Sequence, residues 1–219
     1  MTMGRDLVCV VDDDDSARGV IADALCPLDL DVQAFAGAGA LLQHPEAAVR
    51  AACLVLSAAL RGTSGLELQA DLNMIGNRAS VLFVSGPCDV SIAVQALRAG
   101  ALDFMVKPLD PSLLRERVSA AVAVHRARQL RRTRLHLLGQ CLAMLTPRER
   151  SVLERVMDGR SNAAIATDLG ISIKTVEQHR ARVMDKMKAG SLAELVARVT
   201  EWRLLSGPAS AAWSRIAGG

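Results

Sequence analysis

Residues 53–65 read C-L-V-L-S-A-A-L-R-G-T-S-G. The run Cys53-Leu54-Val55-Leu56 is short, wholly apolar and partly β-branched, and the loop after it is punctuated by Gly62 and Gly65. Uninterrupted apolarity of this kind predicts a strand buried on both faces, as in the middle of a parallel sheet. Such a strand hands its last residue to the carboxyl edge of the sheet, where open α/β folds place their chemistry. Here that residue is Ser57.

The pattern recurs on both sides. Residues 7–11 (L-V-C-V-V) form a second apolar run that ends in four aspartates, Asp12 to Asp15. Helical spacing follows over 16–25 and stops at Pro27. Residues 32–35 read as a strand and 38–42 as a short helix ending near Pro45. Strands at 53–56, 81–84 and 102–106 alternate with helical patterns at 66–75 and 90–99. Five short strands separated by helices predict βαβ units and a doubly wound parallel sheet.

Each strand end then contributes polar groups to one edge: Asp12 and Asp13, Ser57, Ser85, and Lys107 before Pro108. Carboxylates of this kind bind a hard cation such as Mg²⁺. Hydroxyls and a lysine hold the oxygens of a phosphoryl group.

Composition bounds the partners. Aromatic residues make up 2% of the 219 and tyrosine is absent, which argues against recognition by base stacking or aromatic cages. Residues 1–124 carry 9 Lys/Arg and 15 Asp/Glu, whereas 125–219 carry 17 and 8, so a net −6 is joined to a net +9. An acidic half followed by a basic half predicts two domains with different partners, the second polyanionic. Five cysteines without C-x-x-C spacing argue against a disulfide framework or a zinc site. No signal peptide or membrane span is visible, so a cytoplasmic location is expected.

The motifs Val10-Val11-Asp12-Asp13-Asp14, Ser64-Gly65, Ser85-Gly86 and G-A-L-D-F-M-V-K-P at 100–108 resemble the receiver domain of bacterial response regulators. The resemblance implies that Asp12 and Asp13 are the Mg²⁺-site acids, Ser85 the conserved hydroxyl, Lys107 the phosphate-contacting lysine and Phe104 the switch aromatic. It also implies a cis Lys107–Pro108 bond. The slot of the phosphorylated aspartate falls on Ser57, while Arg61 stands where the family usually has proline and Thr63 where methionine is common. A serine hydroxyl is not ionised near neutral pH and contributes no charge to a metal site. The expectation is a receiver with no phosphoacceptor and a weakened Mg²⁺ site.

Asp110-Pro111 opens a helix that runs into five arginines at 126–134. These can face DNA phosphates or an acidic partner, or simply solvate a linker. Thr146-Pro147-Arg148-Glu149 is a capping box with proline at N1, and Ser161, Ser172 and Ser191 cap three further helices. The second and third are joined by a turn at Gly170, and the third is rich in Lys, Gln, Arg and His, the layout of a helix-turn-helix.

L-T-P-R-E-R-S-V-L at 145–153, S-N-A-A-I-A at 161–166 and I-S-I-K-T-V-E-Q-H-R-A-R-V-M-D-K-M at 171–187 resemble the LuxR/NarL-type DNA-binding domain. With the receiver, they imply a response regulator of the NarL/FixJ type. Val176, Val183 and Met187 share one helix face and are expected to pack inward. Lys174, Thr175, Glu177, Gln178 and Arg182 then face the groove of double-stranded DNA or its phosphates. Glu177 either accepts from cytosine N4 or biases orientation. Arg180, Lys186 and Lys188 are expected as phosphate contacts or rim charges, with His179 supporting the helix. The resemblance places a homodimer face on Leu192, Leu195, Val196 and Val199.

These readings divide the chain into a receiver over 1–124, a basic helical linker over 125–142, a helix-turn-helix domain over 143–205 and a Gly/Ala/Ser-rich tail over 206–219, where Trp213 is a candidate for docking. Redox sensing at Cys88 lacks a basic neighbour to activate the thiol. His44 and His125 are expected to be solvated. Catalysis at Ser57 is disfavoured, since no G-x-S-x-G elbow or histidine accompanies it. A receiver that serves chiefly to bind a protein partner is the alternative to a DNA-directed regulator.

Overall fold

The alternation of strands and helices resolves into a five-stranded parallel sheet of order β2-β1-β3-β6-β7. The computed structural model describes residues 5–87 and 90–206, so Cys88 and Trp213 lie outside the described residues. In chain order the first part holds β1 (Asp6–Val11), α1 (Asp15–Leu25), β2 (Leu30–Phe35), α2 (Ala38–Leu42), α3 (Pro45–Arg50), β3 (Ala51–Ser57), β4 (Ala59–Leu60), β5 (Thr63–Ser64), α4 (Gly65–Met74), β6 (Ser80–Ser85), α5 (Val90–Arg98) and β7 (Asp103–Val106). After α6 (Pro111–Ala143) come α7 (Pro147–Met157), α8 (Asn162–Leu169), α9 (Ile173–Lys186) and α10 (Leu192–Leu205).

The interiors of the central strands are uniformly apolar because both faces are covered. Leu7, Cys9, Val11, Leu54 and Leu56 point into one core with Leu41, Leu68, Leu72 and Phe83. Val8, Val10, Cys53 and Val55 point into the other, against Ile21, Leu25, Leu114 and Val118. Burial pushes the Cys9 thiol up to about 12 and also raises that of Cys53, so both act as small apolar groups.

The helix expected over 38–42 is α2, and Pro45 after it opens a further helix, α3, at the N1 position where a missing N–H costs nothing. The loop after β3 folds into a two-residue ribbon, with Ala59 opposite Ser64 and Leu60 opposite Thr63.

The chain forms two compact units, Met1–Gln129 and Leu130–Gly219. The divide falls inside α6, within the stretch expected as a linker. The early part of α6 contributes Leu114, Val118, Ala121 and Val122 to the first unit, and its end contributes Leu138 and Leu142 to the core of the second. His125 is not solvated. It is buried, with Nδ1 3.2 Å from the carbonyl oxygen of Arg78.

In the second unit α7 begins with the capping box of Thr146 and Glu149. A salt bridge of 2.5 Å from Arg203 to Glu154 ties α10 to α7, and Arg155 to Asp168 ties α7 to α8. Among the described residues no helix is long and apolar enough to cross a membrane.

Candidate receiver pocket and nucleic-acid interface

The parallel register carries Asp12, Ser57, Ser85 and Lys107 to the carboxyl edge of the first unit. Lys107 follows β7 directly, and its peptide bond to Pro108 is cis, as the resemblance implies. Asp12 is buried, and Lys107 Nζ donates to its Oδ2 at 2.6 Å. Its other oxygen, Oδ1, accepts from the backbone N–H of Asp14 at 3.0 Å. Asp13 Oδ2 accepts from the backbone N–H of Arg61 at 3.0 Å and lies 3.4 Å from Arg61 Nε. Arg18, one turn into α1, donates to the backbone oxygen of Asp12 at 2.6 Å and pairs with Asp15. Asp14 caps α1 by accepting from the N–H of Ser16. Each of the four aspartates is therefore already engaged.

Ser57 is buried, and its hydroxyl donates to the carbonyl oxygen of Ala59 at 2.9 Å. A carbonyl is no base, so nothing removes the serine proton. Ser85 is buried beside it at the end of β6. Phe104 is half-buried, its ring stacked on Phe83 with centroids 6.4 Å apart. Gly65 sits against the turn: a Cβ there would lie 2.2 Å from the carbonyl oxygen of Ser57 and 2.8 Å from Phe83 Cε1.

The Mg²⁺ ion implied by the resemblance does not fit these residues. Both oxygens of Asp12 and the Oδ2 of Asp13 are occupied by protein donors, and position 57 supplies a hydroxyl turned toward its own loop. Arg61 was visible in the sequence only as a departure at a usual proline. Arg18 stood three residues beyond Asp15, the spacing of a helical ion pair.

The second unit presents its helix-turn-helix as α8 and α9. Gly170 caps α8 with φ 63°, and Ser172 caps α9 by accepting from the N–H of Thr175. Val176, Val183 and Met187 are buried, which turns the opposite face of α9 outward. Lys174, Glu177, Gln178 and Arg182 are exposed there. Thr175 is half-buried, and its hydroxyl lies 2.8 Å from Ser172 Oγ. Lys188 is exposed just past the helix, with φ 53°.

Two of the expected phosphate contacts are otherwise employed. Lys186 Nζ donates to Glu149 Oε2 at 2.6 Å and to the carbonyl oxygen of Met144 at 3.2 Å. Arg180 donates to Asn162 Oδ1 at 2.5 Å. Burial works to raise the Glu149 carboxyl, but the hydrogen bonds from Lys186 and Thr146 outweigh it and leave the group below its ordinary value.

The expected dimer face also changes. Leu195 and Val199 are buried in the core of the helical unit with Trp202 and Leu153, because their spacing on α10 faces α7 and α9. Leu192 remains exposed and Val196 half-buried.

Comparison with known proteins agrees with both units. The profile of the response regulator receiver domain matches residues 8–119, and that of the bacterial regulatory proteins of the luxR family matches 143–199. The chain is 40% identical over 189 residues to the transcriptional regulatory protein FixJ of Azorhizobium caulinodans, covering 86% of this chain and 89% of that protein. It is 35% identical to the tetrathionate response regulatory protein TtrR of Salmonella typhimurium, covering 86% and 89%. Among solved structures, the response regulator StyR superposes with a TM-score of 0.79 at 34% identity, over 90% of this chain and 99% of that one. Full-length FixJ from B. japonicum gives 0.57 at 32% identity, over 94% and 100%. The chain thus belongs to the two-component response regulators of the FixJ/NarL type, transcriptional regulators that join a receiver domain to a LuxR-type DNA-binding domain.

Proposed function

We propose that this regulator binds specific duplex DNA through α9 without waiting for phosphorylation of its receiver. The observation that carries this reading is the pair Lys107–Asp12 together with the Ser57 hydroxyl. The lysine that would meet a phosphoryl group is spent on an aspartate, and the acceptor position holds a side chain with no base to activate it.

On the DNA side, Lys174, Thr175, Glu177, Gln178 and Arg182 form the reading face. Lys174, Glu177, Gln178 and Arg182 have no protein partner among the described residues, which leaves them available for base edges and phosphates. Lys188 joins them as a phosphate contact. Arg180 and Lys186 instead hold α9 against α8 and α7. A homodimer using the exposed side of α10 at Leu192 and Val196 would place two recognition helices on half-sites about one helical turn apart.

A second reading gives the receiver a protein partner. Val94, Leu97, Leu102 and Val106 are 40%, 49%, 39% and 54% exposed on α5 and around β7, an apolar face able to dock one.

Selection of duplexes from a random pool, followed by anisotropy with and without Mg²⁺ and acetyl phosphate, tests the principal reading. The expected result is a selected sequence bound equally under both conditions. A stoichiometric phosphoryl adduct, or binding that appears only with acetyl phosphate, would overturn it.

A further inference from the structure

The buried stripe of α9 is narrow. Val176, Val183 and Met187 lie within about 40° of one another around the helix. Apolar burial is non-directional. A stripe this narrow holds the helix down but leaves its rotation about its own axis weakly set.

Two polar contacts flank the stripe. On one side, about 40° round from Val176, Arg180 Nη1 donates to Asn162 Oδ1 at 2.5 Å, in the first turn of α8. On the other, about 80° round, Lys186 Nζ donates to Glu149 Oε2 of α7 at 2.6 Å and to the carbonyl oxygen of Met144 at 3.2 Å. Both contacts are charge-assisted, and both cations are half-buried. Turning α9 either way stretches one contact or the other. Glu149 is 2% exposed, so Lys186 cannot leave it without stranding a carboxylate.

The outward residues make this rotation matter. Glu177, Gln178 and Arg182 lie about 100°, 200° and 240° round from Val176, so a modest turn changes which of them points at a base edge.

We propose that Asn162 and Glu149 are positioning residues for sequence reading. Through Arg180 and Lys186 they set the rotation of α9, and thereby which side chains meet the bases, without touching DNA themselves. The proposal rests on α9 being the helix that reads the duplex.

The test uses the full chain, a duplex selected from a random pool with the parent, and a scrambled duplex of the same length and composition. Asn162→Ala removes an acceptor and no charge. It should lower affinity for the selected duplex about tenfold, leave the scrambled duplex and the salt slope near the parent's, and melt with the parent. Asn162→Asp, which keeps the acceptor, should restore selectivity. Arg180→Met keeps the stem that lies beside Val152 and Leu195 and should repeat the loss. On the other flank, Glu149→Gln combined with Lys186→Met retains the capping box and should also lose selectivity, measured where melts show the protein folded.

Equal losses on both duplexes with a shallower salt slope for Arg180→Met would make its guanidinium a phosphate contact and overturn the proposal. So would a loss in Asn162→Ala that only tracks a fall in melting temperature, since the contact would then be structural. A parent that selects no sequence defeats the reading of α9 and this proposal with it. A selective parent whose variants stay selective overturns the proposal alone.

Discussion

Lys107 Nζ stands 2.6 Å from Asp12 Oδ2, and the aspartate side chain is 2% exposed. Removing the lysine leaves a carboxylate out of water with its principal counter-charge gone. Lys107→Met should lower the unfolding free energy of the first unit by about 2–3 kcal/mol, because the lysine end of the pair is still partly solvated. The double change Lys107→Met with Asp12→Asn should recover much of that loss in urea titrations. Two single losses that simply add would show that the pair does not act as a unit.

Gly65 is the tightest approach in the pocket. A methyl group there meets the backbone oxygen of Ser57, which is fixed within β3 and cannot swing aside. Gly65→Ala should therefore destabilise the first unit by about 1–3 kcal/mol, as overpacking does. Gly86, where nothing among the described residues lies within 4 Å of an added Cβ, is the control. Equal melting temperatures for Gly65→Ala and Gly86→Ala would refute the assignment.

Lys188 holds φ 53° at the end of α9, a conformation that a Cβ disfavours. Lys188→Gly should raise the stability of the helical unit by about 0.5–1 kcal/mol. If Lys188 also meets phosphate, the same variant should bind DNA with a shallower salt slope. A lower melting temperature would count against the strain.

Glu149 supplies a pH signature. Its carboxyl lies below the ordinary value of 4.5, so the stabilisation is present above that value and lost as pH falls through the lowered folded value. The stability difference between the parent and Glu149→Gln should be constant near neutral pH and shrink on acidification below about 4.5. A difference that stays the same down to the acid transition would exclude the carboxylate as its source.

Gln178 and Arg182 should separate in function. Gln178→Ala is expected to cost about 1–3 kcal/mol on the selected duplex and little on random DNA. Arg182→Ala should weaken both, with a smaller dependence on salt. Parallel losses on both duplexes for both variants would remove the distinction.

The sheet was legible because strands buried on two faces have no polar alternation: 53–56 and 7–11 read as strands without any partner in view. The caps at Thr146, Ser161, Ser172 and Ser191 were equally plain, since each side chain meets a backbone N–H a few residues ahead. Long-range pairing was not. Nothing local announces that Arg61 reaches Asp13, that Lys186 serves a buried Glu149, or that Leu195 and Val199 are consumed by the core. A periodic stripe identifies a buried face but does not say which neighbour buries it. For α10 that neighbour is its own domain.

Gly65 has one more implication. Its contact is with the main chain of Ser57, not with the serine side chain. The close approach at Gly65 is thus set by the Ser57 main chain and the Phe83 ring, not by the side chain at position 57. Ser57→Asp should therefore be accommodated without displacing Gly65, which equal melting temperatures for the variant and the parent would check.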